Sequence, residues 1–169
     1  MLSSDIDGID ELDARLILEM AAHPRSGVME LARRLGVARG TAQARLDKLQ
    51  AKGVVTGFGP DLDLRRLGYD VLAFVTVEIA QGRLADVTRH LAGIPEVLEA
   101  HATTGPGDLH CRVVARNNEH LQTVINAILD VNAIVRTTTQ IALTEQLGHR
   151  DLPLVAQLVP RSRARRGKG

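Results

Sequence analysis

The stretch VLAFVTVEI, residues 71–79, decides the fold, because it begins a strand–helix–strand pattern that the chain repeats. Its β-branched residues predict a strand, and an equivalent strand begins 38 positions later, at Leu109. The six predicted elements are VLAFVTVEI (71–79), LADVTRHLA (84–92), VLEAHATT (97–104), LHCRVVAR (109–116), EHLQTVINAIL (119–129) and VRTTTQIAL (135–143). Two such units predict a four-stranded antiparallel sheet with both helices on one face, since right-handed crossovers allow few other arrangements. This is the ferredoxin-like βαββαβ sandwich.

The first strand of this sheet carries apolar residues on both faces. Val75 and Val77 alternate with Phe74 and Thr76, so both sides of the strand need cover. The two helices cover only one side. We therefore expect the open face to pack against a second copy of the chain, giving a homodimer.

The first 53 residues predict three helices, which makes the whole chain an α+β protein. Apolar residues recur at helical spacing from Ile9 until the His23-Pro24 pair, where a helix must stop. A short helix over residues 30–35 ends at Gly36, and a third helix ends at Gly53. A helix, a turn of about four residues and a second, basic helix form the helix-turn-helix pattern, whose second helix enters the DNA major groove.

Several residues of this segment have side chains suited to DNA. Arg39 and Gln43 suit the edges of guanine and adenine, and the small Gly40 and Ala44 allow a close approach to the bases. Arg45, Lys48 and Lys52 are spaced about one helical turn apart, and their basic side chains suit phosphates. The predicted DNA-binding residues are Arg34, Arg39, Gly40, Thr41, Gln43, Ala44, Arg45, Lys48 and Lys52. The alternative is a small helical cap with solvated charges, since short helix-turn-helix look-alikes are common.

These patterns divide the chain into four parts. Residues 1–53 form the helix-turn-helix domain, and 54–68 form a short strand and a linker with three glycines and a proline. Residues 69–147 form the βαββαβ domain, and 148–169 form a tail that ends in the basic stretch RSRARRGKG. A basic tail of this kind is typically solvated and can add nonspecific phosphate contacts.

Composition excludes several classes of protein. The chain has 169 residues, 44% hydrophobic and 24% charged, with no apolar run near the roughly 20 residues that a membrane span needs. One cysteine cannot form an internal disulfide, and the acidic start does not resemble a signal peptide, so we expect a cytoplasmic protein. Aromatic residues make up only 2%, which disfavours binding of single strands by base stacking and favours a duplex partner.

The turn TGPGD, residues 104–108, is a candidate ligand site. Its glycines can turn backbone N–H groups toward a ligand, and Asp108 can accept an ammonium group, so the turn suits an amino acid. The alternative is a tight hairpin whose residues only satisfy the turn. Nearby His110 and Cys111 are adjacent on a strand and point to opposite faces, so we expect no catalytic residues, no metal site and no cofactor.

From Ile9 to Leu147 the chain resembles the Lrp/AsnC, or feast/famine, family of transcriptional regulators. Five segments resemble the family in the correct order, and no single one is specific alone. They are IDELDARLILEMAAHPR, MELARRLGVARGTAQARLDKLQAKGVVTGF, LGYDVLAFVTVEI, TGPGDLHCRVVA and VRTTTQIALTE. Three residues depart from the family pattern: Ala38 replaces a common capping Ser, Asp47 a usual basic residue, and Leu109 a frequent aromatic.

The resemblance implies a regulator that dimerises through its βαββαβ domain, often assembles into octamers, and binds an amino-acid effector between dimers. It places the effector at the turn and at two positions of the last strand. The implied effector-binding residues are Thr104, Gly105, Pro106, Gly107, Asp108, Gln140 and Ala142.

The sequence therefore predicts a cytoplasmic, nucleoid-associated regulator that binds specific double-stranded DNA and responds to a small effector, an amino acid by the resemblance. One alternative is a ligand-sensing oligomeric scaffold whose helical domain binds a protein partner. Another is an enzyme that uses His101, Asp108 and Cys111 in a dimer cleft, which we do not favour.

Overall fold

The computed structural model describes residues 8–160. The chain divides into a helical unit, described over residues 8–60 and 148–160, and a sheet unit of residues 61–147. The predicted basic stretch at 161–169 lies outside the described residues. Among residues 8–160, no helix is both long enough and apolar enough to cross a membrane.

The helical unit begins with three helices, α1 (Glu11–Ala22), α2 (Val28–Leu35) and α3 (Arg39–Ala51). Gly36 ends α2 with φ +69°, a left-handed conformation that glycine adopts without steric penalty. The three helices pack around a leucine core, and each buried leucine contributes roughly 1.5–3 kcal/mol. The core leucines are Leu16, Leu31, Leu35, Leu46 and Leu49. The structure therefore confirms the predicted helix-turn-helix fold.

Two segments differ from the sequence prediction. The expected short strand after Gly53 is not formed: among the described residues no strand lies between α3 and residue 71, and the N–H groups of Val54 and Val55 both point to Leu49 O. A strand needs a neighbour with which to exchange hydrogen bonds, and this segment has none in the described chain. The predicted tail instead begins with a short helix, α6 (Leu152–Ala156), which contacts α1.

The sheet unit contains β1 (Val71–Ile79), α4 (Leu84–Leu91), β2 (Val97–Ala102), β3 (Leu109–Ala115), α5 (Asn118–Leu129) and β4 (Ile134–Ile141). All strand pairs are antiparallel, in the order β2-β3-β1-β4. Alternate residues of β1 and β3 form one core with both helices, which confirms that α4 and α5 cover the same face. That core includes Val75, Val77, Cys111, Val113, Val87, Leu91, Val124 and Ile128.

The other face of the sheet is amphipathic. Phe74 of β1 stacks on His110 of β3 with ring centroids 5.6 Å apart, and Thr76 Oγ1 lies 3.3 Å from His110 Nδ1. Charged side chains pair across the strands, as in Arg112 with Glu99 at 3.3 Å. Within one protomer the helices leave this face only partly buried.

Candidate nucleic-acid interface and ligand-binding turn

The exposed face of α3 begins at its first residue. Ala42, Leu46 and Leu49 turn inward at helical spacing and anchor the helix in the leucine core. The opposite face therefore lies in solvent. Its exposed residues near the N-terminus are Arg39, Gly40, Thr41, Gln43 and Ala44, all of them predicted to bind DNA.

Two of these polar side chains differ in their surroundings. Gln43 Nε2 donates to Asp47 Oδ1 at 2.8 Å, so this amide is pre-oriented along the helix surface. Arg39 forms no hydrogen bond or ion pair with any described residue. The N-terminal end of α3 has no side-chain cap, because Ala38 stands at that position. Its first N–H groups, which carry the positive end of the helix dipole, are left for an external acceptor such as a phosphate.

Two other predicted phosphate-binding residues are held by α1. Arg45 donates to Asp10 and, at 3.0 Å, to Asp13, while Lys48 Nζ lies 2.8 Å from Asp13 Oδ2. We call these four residues the acid clamp. The Asp13 side chain has no exposure to solvent, whereas that of Asp10 is 42% exposed. The clamp joins the start of α1 to the middle of α3.

The same two aspartates also cap α1. The Asp10 side chain accepts from Asp13 N at 3.0 Å, and Asp13 Oδ2 accepts from Asp10 N at 3.2 Å. This reciprocal arrangement is a capping box, in which two otherwise unpaired N–H groups at the helix start are satisfied. The pattern Asp-x-x-Asp before an apolar run is a sequence signal for it, but sequence reasoning did not identify Asp10 and Asp13 as part of the site.

The charges of the clamp perturb one another. The Arg45 hydrogen bond holds the pKa of Asp10 below its usual value. Burial raises the pKa of Asp13, but hydrogen bonds from Lys48 and Arg45 outweigh it, so the net direction is downward. Both carboxylates are thus ionised at neutral pH, and they raise the pKa of Arg45 in turn.

The remaining two predicted cations also lie within the helical unit. Arg34 Nε lies 2.9 Å from Glu30 Oε1, and its guanidinium contacts His23 Nε2 at 2.9 Å. Arg33 and Arg34 together lower the pKa of Glu30 to about 2, chiefly through the Arg33 hydrogen bond. Lys52 is exposed and follows directly on α3.

A shallow depression of about 600 Å³ lies beside α3. It is lined by Asp10, Gly40, Thr41, Ala44, Arg45 and Lys48. The absence of large side chains at Gly40 and Ala44 creates it. The depression gives α3 a concave surface with the acid clamp at one side.

The turn at residues 104–108 is attached to the end of β1. Asp108 N donates to Val77 O at 2.8 Å, and Asp108 Oδ2 accepts from Ile79 N at 2.6 Å. Ile79 follows a register shift in the β1–β4 pairing, so the carboxylate satisfies an N–H at that irregularity. One Asp108 oxygen thus has a structural role, and the other has no hydrogen bond to the described residues. Thr104, Gly105, Pro106 and Asp108 are exposed, and Gly107 is partly buried.

Residue 107 must be a glycine for two reasons: its backbone conformation and the lack of room for a Cβ atom. Its φ is +90°, and a Cβ at this position would collide with Cγ2 of Thr76. Gly105, with φ +105°, has open space around it. The turn is therefore closely packed on β1 at Gly107 and open at Gly105.

The two predicted effector positions at the end of the last strand, Gln140 on β4 and Ala142 just after it, lie beside the first half of β1. Gln140 is paired with Phe74, and Ala142 N donates to Leu72 O at 2.8 Å. On β1, Phe74 is the partner of Gln140, and Val77 is the residue whose carbonyl accepts from Asp108. Phe74 and Val77 are about 10 Å apart along the strand. One protomer thus does not bring the turn and these residues into a single site.

The structure places Cys111 and the two histidines near the turn on different sides of the sheet. Cys111 is fully buried in the sheet core, and burial raises its thiol pKa, whereas His110 faces the other side of the sheet. His101 lies near Glu99, at 3.5 Å, on the outer face. Within residues 8–160, no three His, Cys, Asp or Glu side chains are grouped so as to hold a metal ion.

Both units match known protein families. Residues 9–50 match the AsnC-type helix-turn-helix domain, and residues 72–152 match the Lrp/AsnC ligand binding domain. The HTH-type transcriptional regulator FL11 of Pyrococcus horikoshii is 30% identical over 86% of this chain and 97% of its own length. The regulatory protein AsnC of Escherichia coli is 33% identical over 80% of this chain and 90% of its own length.

Solved structures agree with the fold of both units. The structure of E. coli AsnC superposes with a TM-score of 0.80 and 31% identity, covering 86% of this chain and 99% of that one. A feast or famine regulatory protein from M. tuberculosis, solved in complex with L-methionine, gives a TM-score of 0.77 with 26% identity. It covers 85% of this chain and 97% of that one.

Proposed function

The chain belongs to the Lrp/AsnC family of transcriptional regulators, and from this premise we propose which surfaces bind its DNA and its effector. The family assignment makes the helical unit a DNA-binding domain and the sheet unit a ligand-binding domain. We propose that α3 reads duplex DNA in the major groove, and that an amino acid bound by the sheet unit changes the affinity for DNA.

The exposed face of α3 is the observation that carries the DNA-binding proposal. Arg39 has no intramolecular partner among the described residues, and it stands at the uncapped start of the helix beside Gly40. An arginine in this position can make a bidentate contact with guanine, since the small residues allow the backbone to come close. Gln43, one turn further on, is placed for a neighbouring base. We assign phosphate contacts to Lys52, Arg34 and the first N–H groups of α3.

An amino-acid effector is supported by the chemistry of the turn. Asp108 has one carboxylate oxygen left for an ammonium group, and the exposed backbone at Gly105 is open to a carboxylate. The L-methionine complex of the M. tuberculosis relative supports the same ligand class. Because Gln140 and Ala142 lie apart from the turn within one protomer, we propose that the effector site is completed by a neighbouring copy.

We propose a homodimer, and higher assemblies such as an octamer, as the functional form. The partly buried outer face of the sheet, with Phe74 stacked on His110, supports dimerisation through that face. An effector that binds between copies changes the equilibrium between assemblies only if its affinity differs from one assembly to another.

The regulator would act in the cytoplasm at the nucleoid, without catalytic activity and without a cofactor. The buried Cys111 supports the absence of a nucleophile.

The DNA-binding proposal is tested by fluorescence anisotropy on two duplexes, one from upstream of the protein's own gene and one of scrambled sequence. We expect tighter binding to the upstream duplex and a salt-dependent affinity for both, because phosphate contacts release counterions. Absence of binding to either duplex at low salt would contradict the proposal. It would favour the alternative, in which the helical unit binds a protein partner.

The effector proposal is tested by thermal unfolding in the presence of each of the twenty amino acids. A ligand at 100 times its Kd stabilises the protein by about 2.7 kcal/mol, which is a measurable rise in Tm. The shift should be lost in Gln140→Ala and retained in Gln122→Ala, an exposed glutamine on α5. No shift with any amino acid would contradict this part of the proposal.

A further inference from the structure

We propose that Asp10 and Asp13 are positioning residues that withhold Arg45 and Lys48 of the DNA-reading helix from the phosphate backbone. The inference rests on the proposed role of α3 in DNA binding. It assigns to the start of α1 a part in DNA specificity, although α1 is not the helix proposed to read the bases.

The acid clamp is a closed set of contacts. Asp13 Oδ1 accepts from Arg45 and Asp13 Oδ2 accepts from Lys48, at 3.0 and 2.8 Å. Asp10 uses one oxygen for Asp13 N and the other for Arg45. All four carboxylate oxygens are thus engaged, either with a cation of α3 or with the capped start of α1.

The clamp is also electrically neutral, since two carboxylates face two cations. A fully buried carboxylate such as Asp13 requires compensating charge, and releasing either cation would remove part of that compensation. Arg45 and Lys48 are therefore bound more firmly than exposed surface ion pairs would be. Arg39, on the same helix, has no such partner among the described residues.

This arrangement affects the balance between specific and nonspecific binding. Each cation that neutralises a phosphate adds about one unit to the salt dependence of affinity, and it does so on any sequence. Cations held by Asp10 and Asp13 add less to this sequence-independent affinity. The clamp thus leaves discrimination to the residues that face the bases, Arg39 and Gln43.

Asp10→Asn is the variant that separates the charge from the helix cap. Asparagine caps helices as well as aspartate does, so α1 keeps its N-cap while Arg45 loses one anionic partner. Glu11→Gln is the matched control. Glu11 is the first residue of α1, is exposed, and forms no hydrogen bond or ion pair with any described residue of α3, yet its substitution removes the same charge.

The test is anisotropy of the full chain on the scrambled and upstream duplexes between 50 and 200 mM salt. For Asp10→Asn we expect tighter binding to the scrambled duplex at 50 mM salt. We also expect the slope of log K against log salt to steepen by about one unit. That is an additional loss of affinity of about fourfold across this range. The preference for the upstream duplex should fall, and adding Arg45→Ala should remove the extra slope. Glu11→Gln should keep the slope and the preference of the wild type.

Two results would overturn the inference while leaving the proposed function intact. One is an equal change in affinity and salt slope for Asp10→Asn and Glu11→Gln. That result would mean that only the loss of a negative charge matters, and not the contact with Arg45. The other is weaker binding of Asp10→Asn to both duplexes with the wild-type slope, which is the result of a merely structural role. If the wild type binds neither duplex, the proposed function fails, and the inference fails with it.

Discussion

Lys48 Nζ lies 2.8 Å from Oδ2 of Asp13, a carboxylate that has no exposure to solvent although the two residues are 35 positions apart. The contact fixes α3 to α1 through charge as well as through the leucine core. It makes the stability of the helical unit dependent on pH, in a direction that the pKa shifts determine.

The clamp predicts loss of stability in acid. The pKa values of Asp10 and Asp13 are lower in the folded protein than in the unfolded chain, so the folded state binds fewer protons at acidic pH. Their contribution is complete above the unfolded value of about 3.9 and is lost as the pH falls through the folded values. We expect the free energy of unfolding, from urea titrations followed by circular dichroism, to be level between pH 7 and 5 and to fall below about pH 4.

Comparison of two variants assigns this effect to the clamp. Asp13→Asn should be less stable than the wild type at pH 7, because Lys48 and Arg45 lose their buried partner, and its stability should vary less with pH below 5. Glu11→Gln should keep the wild-type pH dependence. Equal pH dependence of the two variants would show that other carboxylates, such as Glu30, are responsible.

The turn at residues 104–108 contains two glycines with positive φ, and we expect their replacement by alanine to destabilise the protein unequally. Gly105→Ala should cost about 1–2 kcal/mol, since it only imposes a positive φ on alanine. Gly107→Ala should cost about 1–3 kcal/mol more, because the new Cβ also collides with Thr76. Urea unfolding of both variants measures the difference. Equal losses would contradict the tight packing of the turn on β1.

The burial of Cys111 predicts that folding protects its thiol from chemical modification. Its side chain is fully buried in the sheet core, and burial raises the pKa of the thiol, so little reactive thiolate forms at neutral pH. We expect modification by a thiol reagent to be slow in buffer and complete within seconds to minutes in denaturing urea. Rapid modification of the folded protein would contradict this placement and would reopen the alternative of a cysteine nucleophile.

The sequence was sufficient for the fold because the deciding signals are local. The repeated strand–helix–strand pattern from Val71 onward and the left-handed stop at Gly36 depend on neighbouring residues alone. The exposed face of α3 followed in the same way, since Ala42, Leu46 and Leu49 had to turn inward. Both matched domains agree with these predictions.

Features that depend on contacts distant in sequence were not predictable in this way. The acid clamp joins residues 32 to 35 positions apart, and no periodicity pairs Asp13 with Lys48. The helix α6 has five residues, too few for a periodic signal, and its packing on α1 emerges only in three dimensions. The strand expected after Gly53 had the right residue types but no neighbouring strand among the described residues.

The affinity of Arg39→Ala for the upstream and scrambled duplexes tests directly whether α3 reads DNA. The matched control is Arg89→Ala, which removes one exposed positive charge from α4 of the sheet unit. If α3 reads the bases through Arg39, this variant should lose about 1–3 kcal/mol of binding to the upstream duplex and most of its sequence preference. Arg89→Ala should retain both. An Arg39→Ala variant that keeps the wild-type preference would contradict the assignment of α3 as the surface that reads DNA.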